Sequence, residues 1–295
     1  MIYLKLVRFQ NLIAMALIQY LIRYSLIIPT YGKEAVLGDV EFALLVFSIL
    51  LIAGGGYVIN DYFDARVDAV NKNVIIGRKI KRRKALILHA LLTFTGVILG
   101  FVIAYKVGYI ILGAILVASA YLLWLYSLKL KRKLFVGNFI IAKLSAVFIL
   151  SISIFEIAPK LNQKESKYLI VLLCIYALFA FICSLMHEII KDLKGCTGDK
   201  AFDIKTLATE WGVTKTKEFV KWLSILLTSM VITVSVYKFN TQLYPMLYAA
   251  LFVVLPLFLL NVWIYKAEQI KDYSRIAILH KFIMFAGIMS LCFFI

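Results

Sequence analysis

Two stretches of this 295-residue chain combine carboxylates, carboxamides and bases at spacings that can do chemistry. The first is Asn60-Asp61-Tyr62-Phe63-Asp64-Ala65-Arg66-Val67-Asp68-Ala69-Val70-Asn71-Lys72. On a helix, Asp61, Asp64 and Asp68 fall at i, i+3 and i+7 and share one face. Three carboxylates on one face repel each other unless a cation or a basic group sits among them. The second stretch runs from Glu188 to Asp203 and contains Lys191, Asp192 and Asp199. Asp192 and Asp199 are seven apart, again one face if helical, although Gly195 and Gly198 argue against an unbroken helix. All-oxygen ligands suit a hard cation. Magnesium takes one or two carboxylates and completes its shell with waters and phosphate oxygens. The interleaved bases, Lys72, Arg78 and Lys191 above all, can hold a phosphate directly. The pattern points to a magnesium–diphosphate site. The competing reading is that these are solvated loop charges at a membrane surface.

The elements that must position these residues are membrane-spanning helices. The chain is 63% hydrophobic and 17% charged, with a mean hydropathy of +0.92, against about half apolar and a quarter charged in soluble domains. This excludes a water-soluble globule and a disordered chain. The four cysteines, Cys174, Cys183, Cys196 and Cys292, show no C-x-x-C spacing, which argues against a disulfide scaffold. A spanning helix needs roughly 20 mostly apolar residues. Nine segments qualify: 9–30, 40–60, 85–105, 109–128, 135–157, 168–187, 219–238, 243–265 and 275–295. The expected fold is all-α: a polytopic membrane protein with nine transmembrane helices around a central cavity open to the cytoplasmic side. It forms a single domain over residues 1–295. Residues 1–8 are too short for a cleavable signal.

The basic residues orient these spans. Of 33 Lys and Arg, 23 fall before the first span or in the loops after spans two, four, six and eight; six fall in the alternate loops and four within spans. The positive-inside rule then puts the N-terminus and the loops bearing both acidic stretches in the cytoplasm and the C-terminus outside. Spans two and six end on the same side, so the two acidic stretches can face one another across the cavity. The net charge of +17 therefore reads as topology plus an anion clamp, with membrane lipid as the surrounding partner and no nucleic acid.

Other residues have positional readings. Pro256 inside span eight is expected to kink it. Gly54, Gly55 and Gly56 are expected to end span two, either for close helix packing or to make room for substrate. Arg23 is expected to snorkel to the outer face and Lys143 to the cytoplasmic face. His187 reads as structural, with a general base as its alternative; His89 and His280 lack evident partners.

At the acidic stretches the sequence resembles the UbiA superfamily of intramembrane prenyltransferases. The family's first motif, N-D-x-x-D-x-x-x-D, is complete in Asn60, Asp61, Asp64 and Asp68. Its second, roughly K-D-x-x-D-x-x-G-D followed by a basic residue and Thr-Leu, is matched by Lys191, Asp192, Gly198, Asp199, Lys205, Thr206 and Leu207. Gly195 stands where Asp is common and Asp203 where Gly is common, which alters the second ligand set. Arg8 and Asn11 fit an R-x-x-N motif, Gly77-Arg78 a basic loop, and Tyr126, Lys131, Arg132, Gly137 and Asn138 a Y-S…K-R…G-N stretch. Nine spans is also the family count.

The resemblance implies a prenyl diphosphate held through Mg2+ by Asp61, Asp64, Asp68, Asp192 and Asp199. Asp61, Asp64, Asp192 and Asp199 would carry catalysis, and Asn11, Asn60, Lys72, Arg78, Tyr126, Lys131, Asn138 and Lys191 would contact substrate. Loss of diphosphate gives an allylic cation, which an acceptor captures in a dry, aromatic-lined cavity. Local likeness is best to geranylgeranylglycerol-phosphate geranylgeranyltransferase-like members, which implies a geranylgeranyl donor and a glycerol-phosphate acceptor. Prenylation of an aromatic quinone precursor is the runner-up. The implied location is the inner membrane of a prokaryote. A transporter would place paired charges at mid-membrane depth, whereas these acids cluster at span ends. A CDP-alcohol phosphotransferase would need D-G where Asp64-Ala65 stands.

Overall fold

No water reaches the backbone inside a bilayer, so each spanning segment must close its own hydrogen bonds, which an α-helix does. The computed structural model describes residues 2–68, 75–201, 204–239 and 242–294, without the side chains of Lys33, Arg66, Val67, Asp68, Arg132, Ala201 and Phe239. The described residues form no strand. In chain order the helices are α1 (Ile2–Leu6), α2 (Phe9–Ile22), α3 (Ile28–Tyr31), α4 (Asp39–Asp68), α5 (Arg82–Lys106), α6 (Leu112–Leu128), α7 (Val136–Ile157), α8 (Lys164–Ala201), α9 (Leu207–Glu210), α10 (Val213–Phe239), α11 (Leu243–Ala249), α12 (Leu255–Lys266) and α13 (Ile270–Met289).

Among the described residues, eight helical runs are long and apolar enough to cross a membrane. The expected span over 109–128 differs from them: α6 has 17 residues, about 26 Å at 1.5 Å per residue. Gly108, with φ +81, ends the previous helical run, and the chain reaches Leu112 only after a turn. The expected nine spans are thus eight long helical runs and one short apolar helix.

Two of the runs contain a π-helical turn just before a proline. Arg23–Ile27 precedes Pro29, and Ala250–Val254 precedes Pro256. Proline lacks an N–H and its ring crowds the carbonyl four residues back. The wider π turn absorbs that defect without ending the helical run.

The chain divides into two compact units: residues 1–130 with 149–171, and residues 131–148 with 172–295. The division falls within α7 and α8.

In the first unit α4 lies close against α5. A Cβ on Gly96 would sit 2.7 Å from the Ser48 carbonyl oxygen and 2.8 Å from Ile52 Cγ1, so only glycine permits this approach. Ser48 Oγ donates to the Gly96 carbonyl at 2.6 Å, and His89 Nδ1 lies 2.9 Å from the Gly55 carbonyl. Small residues and short polar bonds substitute for the hydrophobic effect, which is absent between helices in lipid. Gly55 serves this packing against Thr93 and the His89 carbonyl, Gly56 makes room for Leu123 of α6, and α4 continues past both to Asp68 instead of ending there.

Arg23 corrects the expectation that it snorkels. Its side chain is 2% exposed. It donates to Glu156 Oε1 at 3.1 Å, to the Leu37 carbonyl at 2.9 Å and to Asp39 Oδ1 at 3.1 Å, and lies 4.4 Å over the Phe42 ring. The Val36 backbone N–H donates to Glu156 Oε2 at 2.7 Å. A charge in the apolar phase needs a partner more than depth.

In the second unit α8, α10, α12 and α13 bury one apolar cluster that includes Ile189, Leu193, Leu227, Leu260 and Ile276. Gly287 leaves room for the tip of the Phe179 ring, which an added Cβ would meet. Ser145 Oγ donates to Ser184 Oγ at 2.9 Å, tying the middle of α7 to α8. Of the free cysteines, Cys183 and Cys196 are buried and Cys174 and Cys292 are exposed; the buried two fill space as small hydrophobes.

Candidate functional site

The first acidic motif sits where α4 leaves its apolar stretch. The helix runs through Asp68, so Asp61, Asp64 and Asp68 keep their helical register; the Asp68 side chain lies outside the described residues. Asp61 and Asp64 are half-buried. Arg8 donates to Asp61 Oδ1 at 3.1 Å and its guanidinium lies 4.8 Å over the Tyr57 ring. Arg8 has φ 52 and ψ 53, a left-handed conformation that is strained for a residue with a Cβ. That turn separates α1 from α2 and aims the guanidinium at α4. Asn60 Oδ1 is buried and unpartnered, an acceptor left over beside Asp61.

Asn11, one helical turn beyond Arg8, is exposed on α2. Lys72 lies outside the described residues. Arg78 stands at the tip of a tight loop. Gly77, with φ +96, allows the reversal, and its N–H donates to the Ile80 carbonyl at 2.8 Å. Ile76 and Ile80 are buried with Leu6, Val58 and Ala85. Two apolar anchors therefore hold the loop down and leave Arg78 in solvent. Tyr126 is half-buried in the last turns of α6.

The second motif is carried by α8, which continues as a helix past Gly195 and Gly198 to Ala201. The structure thus keeps the helix that those glycines argue against. It places Asp192 and Asp199 two turns apart on one face, about 10 Å along the axis. A Cβ on Gly195 would sit 3.3 Å from Asp199 Oδ2. The missing side chain makes room for that carboxylate, and an aspartate here would crowd it. Asp203 and the Arg132 side chain lie outside the described residues.

Asn138, in the first turn of α7, donates from Nδ2 to Asp192 Oδ2 at 2.7 Å. The expectation gave Asn138 to substrate; the structure places it on the carboxylate. Lys191 pairs with Glu188 at 2.9 Å on the exposed side of α8. Lys131 is half-buried in a 3₁₀ turn, Leu130–Arg132. Lys143 is exposed.

The donor chemistry fits magnesium. Each unit offers a pair of carboxylates on one helix face, with carboxamides beside them. Among the described residues no group of three or more His, Cys, Asp or Glu is placed to hold a metal.

Sequence reasoning missed two features. Glu156 was absorbed into an apolar segment, although a lone acid in one span and a lone Arg in another already signal a pair. His280 stacks on His187 with ring centroids 5.6 Å apart. His280 is fully buried and neither of its ring nitrogens has a partner; spacing alone carries no signal for that contact.

A sequence model described as the UbiA prenyltransferase family matches residues 24–286. Digeranylgeranylglyceryl phosphate synthase from Methanosphaera stadtmanae is 28% identical over 294 residues, covering 96% of this chain and 97% of that protein. The synthase of the same name from Hyperthermus butylicus is 30% identical over 253 residues, covering 84% and 78%. A solved structure concerned with digeranylgeranylglyceryl phosphate synthase in membranes aligns with a TM-score of 0.66 at 23% identity, over 98% of this chain and 97% of that one. A UbiA homolog from Archaeoglobus fulgidus bound to DMAPP and Mg2+ aligns with a TM-score of 0.63 at 13% identity, over 99% of each chain.

Proposed function

Because the chain belongs to the UbiA prenyltransferase family, we propose that it transfers a geranylgeranyl group from its diphosphate to geranylgeranylglyceryl phosphate. The supporting observation is the run of relatives named digeranylgeranylglyceryl phosphate synthase, one of them matched over almost its whole length. The product in that name carries two geranylgeranyl chains on one glyceryl phosphate, so the acceptor carries one.

Asp61, Asp64, Asp68, Asp192 and Asp199 would hold Mg2+, as the A. fulgidus homolog's bound Mg2+ supports. When bound, the ion neutralises the diphosphate and stabilises the charge that develops as it leaves. The allylic C–O bond breaks with its electron pair on the departing diphosphate, the acceptor hydroxyl oxygen bonds to the prenyl carbon, and the hydroxyl proton passes to the released diphosphate or to water. Asn11, Asn60, Lys72, Arg78, Tyr126, Lys131 and Lys191 contact the two anionic substrates in this reading. The exposure of Arg78 on its anchored loop supports its reading as a phosphate contact.

In the nine-span topology, which counts α6 as a crossing, the N-terminus and both aspartate motifs face the cytoplasm of a prokaryotic cell. The asymmetry of 23 basic residues against six supports this. The chain acts as a single domain over 1–295.

Purified protein, labelled geranylgeranyl diphosphate, Mg2+ and a panel of acceptors test the proposal. Turnover with geranylgeranylglyceryl phosphate is expected. Exclusive use of aromatic acceptors would replace it with quinone-precursor prenylation, and no prenyl transfer to any acceptor would revive the transporter alternative.

A further inference from the structure

The amide of Asn138 and the carboxylate of Asp192 are 2.7 Å apart, and three features of the second unit make that contact a built one. First, Phe135 has φ 63, a left-handed turn that is costly for a bulky residue. Its ring sits 6.2 Å from both Phe139 and Phe219, and this packing holds the strained corner in place. The corner starts α7 one residue later and sets which face Asn138 presents. Second, Ser145 and Ser184 form a parallel polar rung two turns further along the same helix pair. Third, Phe139 packs on Phe181 at 5.4 Å. The register of α7 against α8 is thus held by contacts other than Asn138. The amide bond is therefore spare as a structural strut.

A carboxamide donor on a half-buried carboxylate does two things. It fixes the side-chain rotamer, and it occupies Oδ2, so that Oδ1 is the oxygen Asn138 leaves to another partner. Partners that orient a metal-binding carboxylate characteristically change metal affinity 10- to 100-fold when removed. We infer that Asn138 is a positioning residue: it orients Asp192 to receive the divalent cation and does not itself contact prenyl diphosphate or acceptor. This rests on the reading of Asp192 as a metal ligand.

The test uses full-length protein in detergent, with Mn2+ and geranylgeranyl diphosphate as probes. Bound Mn2+ is read by electron paramagnetic resonance, and the half-saturating Mg2+ concentration is read from turnover. Asn138→Leu keeps the side-chain shape and removes the donor. It is expected to raise both the Mn2+ dissociation constant and the Mg2+ requirement about 10-fold. Asn138→Ser retains a shorter donor and is expected to give a smaller rise; it supplies the measurement if the leucine variant does not fold. Unchanged metal dependence, or a raised KM for either substrate at unchanged metal dependence, overturns the inference. Asp192→Asn separates the two claims. If that variant binds Mn2+ as the parent does, the metal reading of Asp192 falls and the inference with it. If it loses Mn2+ while Asn138→Leu retains it, only the positioning role falls.

Discussion

Arg23 and Glu156 meet at 3.1 Å with side-chain exposures of 2% and 0%. The pair ties α7 to the turn that carries the chain between α2 and α4. Removing one partner from a buried pair leaves an uncompensated charge, which typically costs about 3–5 kcal/mol. Arg23→Met is expected to lose that much stability in detergent unfolding. The double variant Arg23→Met/Glu156→Met is expected to recover a substantial part, because no lone charge remains. A single variant as stable as the parent would deny the pair its role.

Gly96 and Gly198 are expected to respond oppositely to alanine. At Gly96 the new methyl would press on the Ser48 backbone 2.7 Å away, and overpacking of this kind costs about 1–3 kcal/mol. At Gly198 nothing lies within 4 Å, so the higher helix propensity of alanine stabilises by up to about 1 kcal/mol. Thermal unfolding of the two variants side by side checks the contrast.

Arg8 combines a strained backbone with a useful side chain. Arg8→Ala and Arg8→Gly both lose the bond to Asp61, but glycine adopts φ 52 without strain. The glycine variant is expected to be about 1 kcal/mol more stable than the alanine variant. Equal unfolding midpoints would show that the turn relaxes when the guanidinium is gone.

Asp64→Asn and Asp192→Asn are each expected to reduce prenyl transfer about 10²-fold or more, the scale of losing several kcal/mol of charge stabilisation. Chelation of Mg2+ is expected to abolish transfer by the parent, and added Mg2+ to restore it. Full activity in either variant, with normal expression, would remove that carboxylate from the metal site.

Much of this fold is legible in the chain itself. The apolar segments announced the helices because hydrocarbon permits no other backbone solution for such runs. The i, i+3, i+7 aspartates kept one face because α4 continues through Asp68. Propensity misled at Gly195 and Gly198: intrinsic helix preference is a weak prior, and α8 buries Leu193 and Cys196 in the apolar cluster strongly enough to override it. Charge in a span was misjudged at Arg23 because depth can be judged from sequence and pairing across helices cannot.

By itself, then, the sequence determined that this is an all-helical membrane protein and which carboxylates, amides and bases lie near its span ends. Those properties are local: they follow from hydropathy, spacing and charge along the chain. Only the tertiary structure decided that Arg23 answers Glu156, that Arg8 reaches Asp61, that Gly195 clears space for Asp199, and that Asn138 holds Asp192. Each of these joins distant residues or depends on a side chain's direction. Such contacts are selected by helix packing, by the π turns before Pro29 and Pro256, and by the strained corners at Arg8 and Phe135.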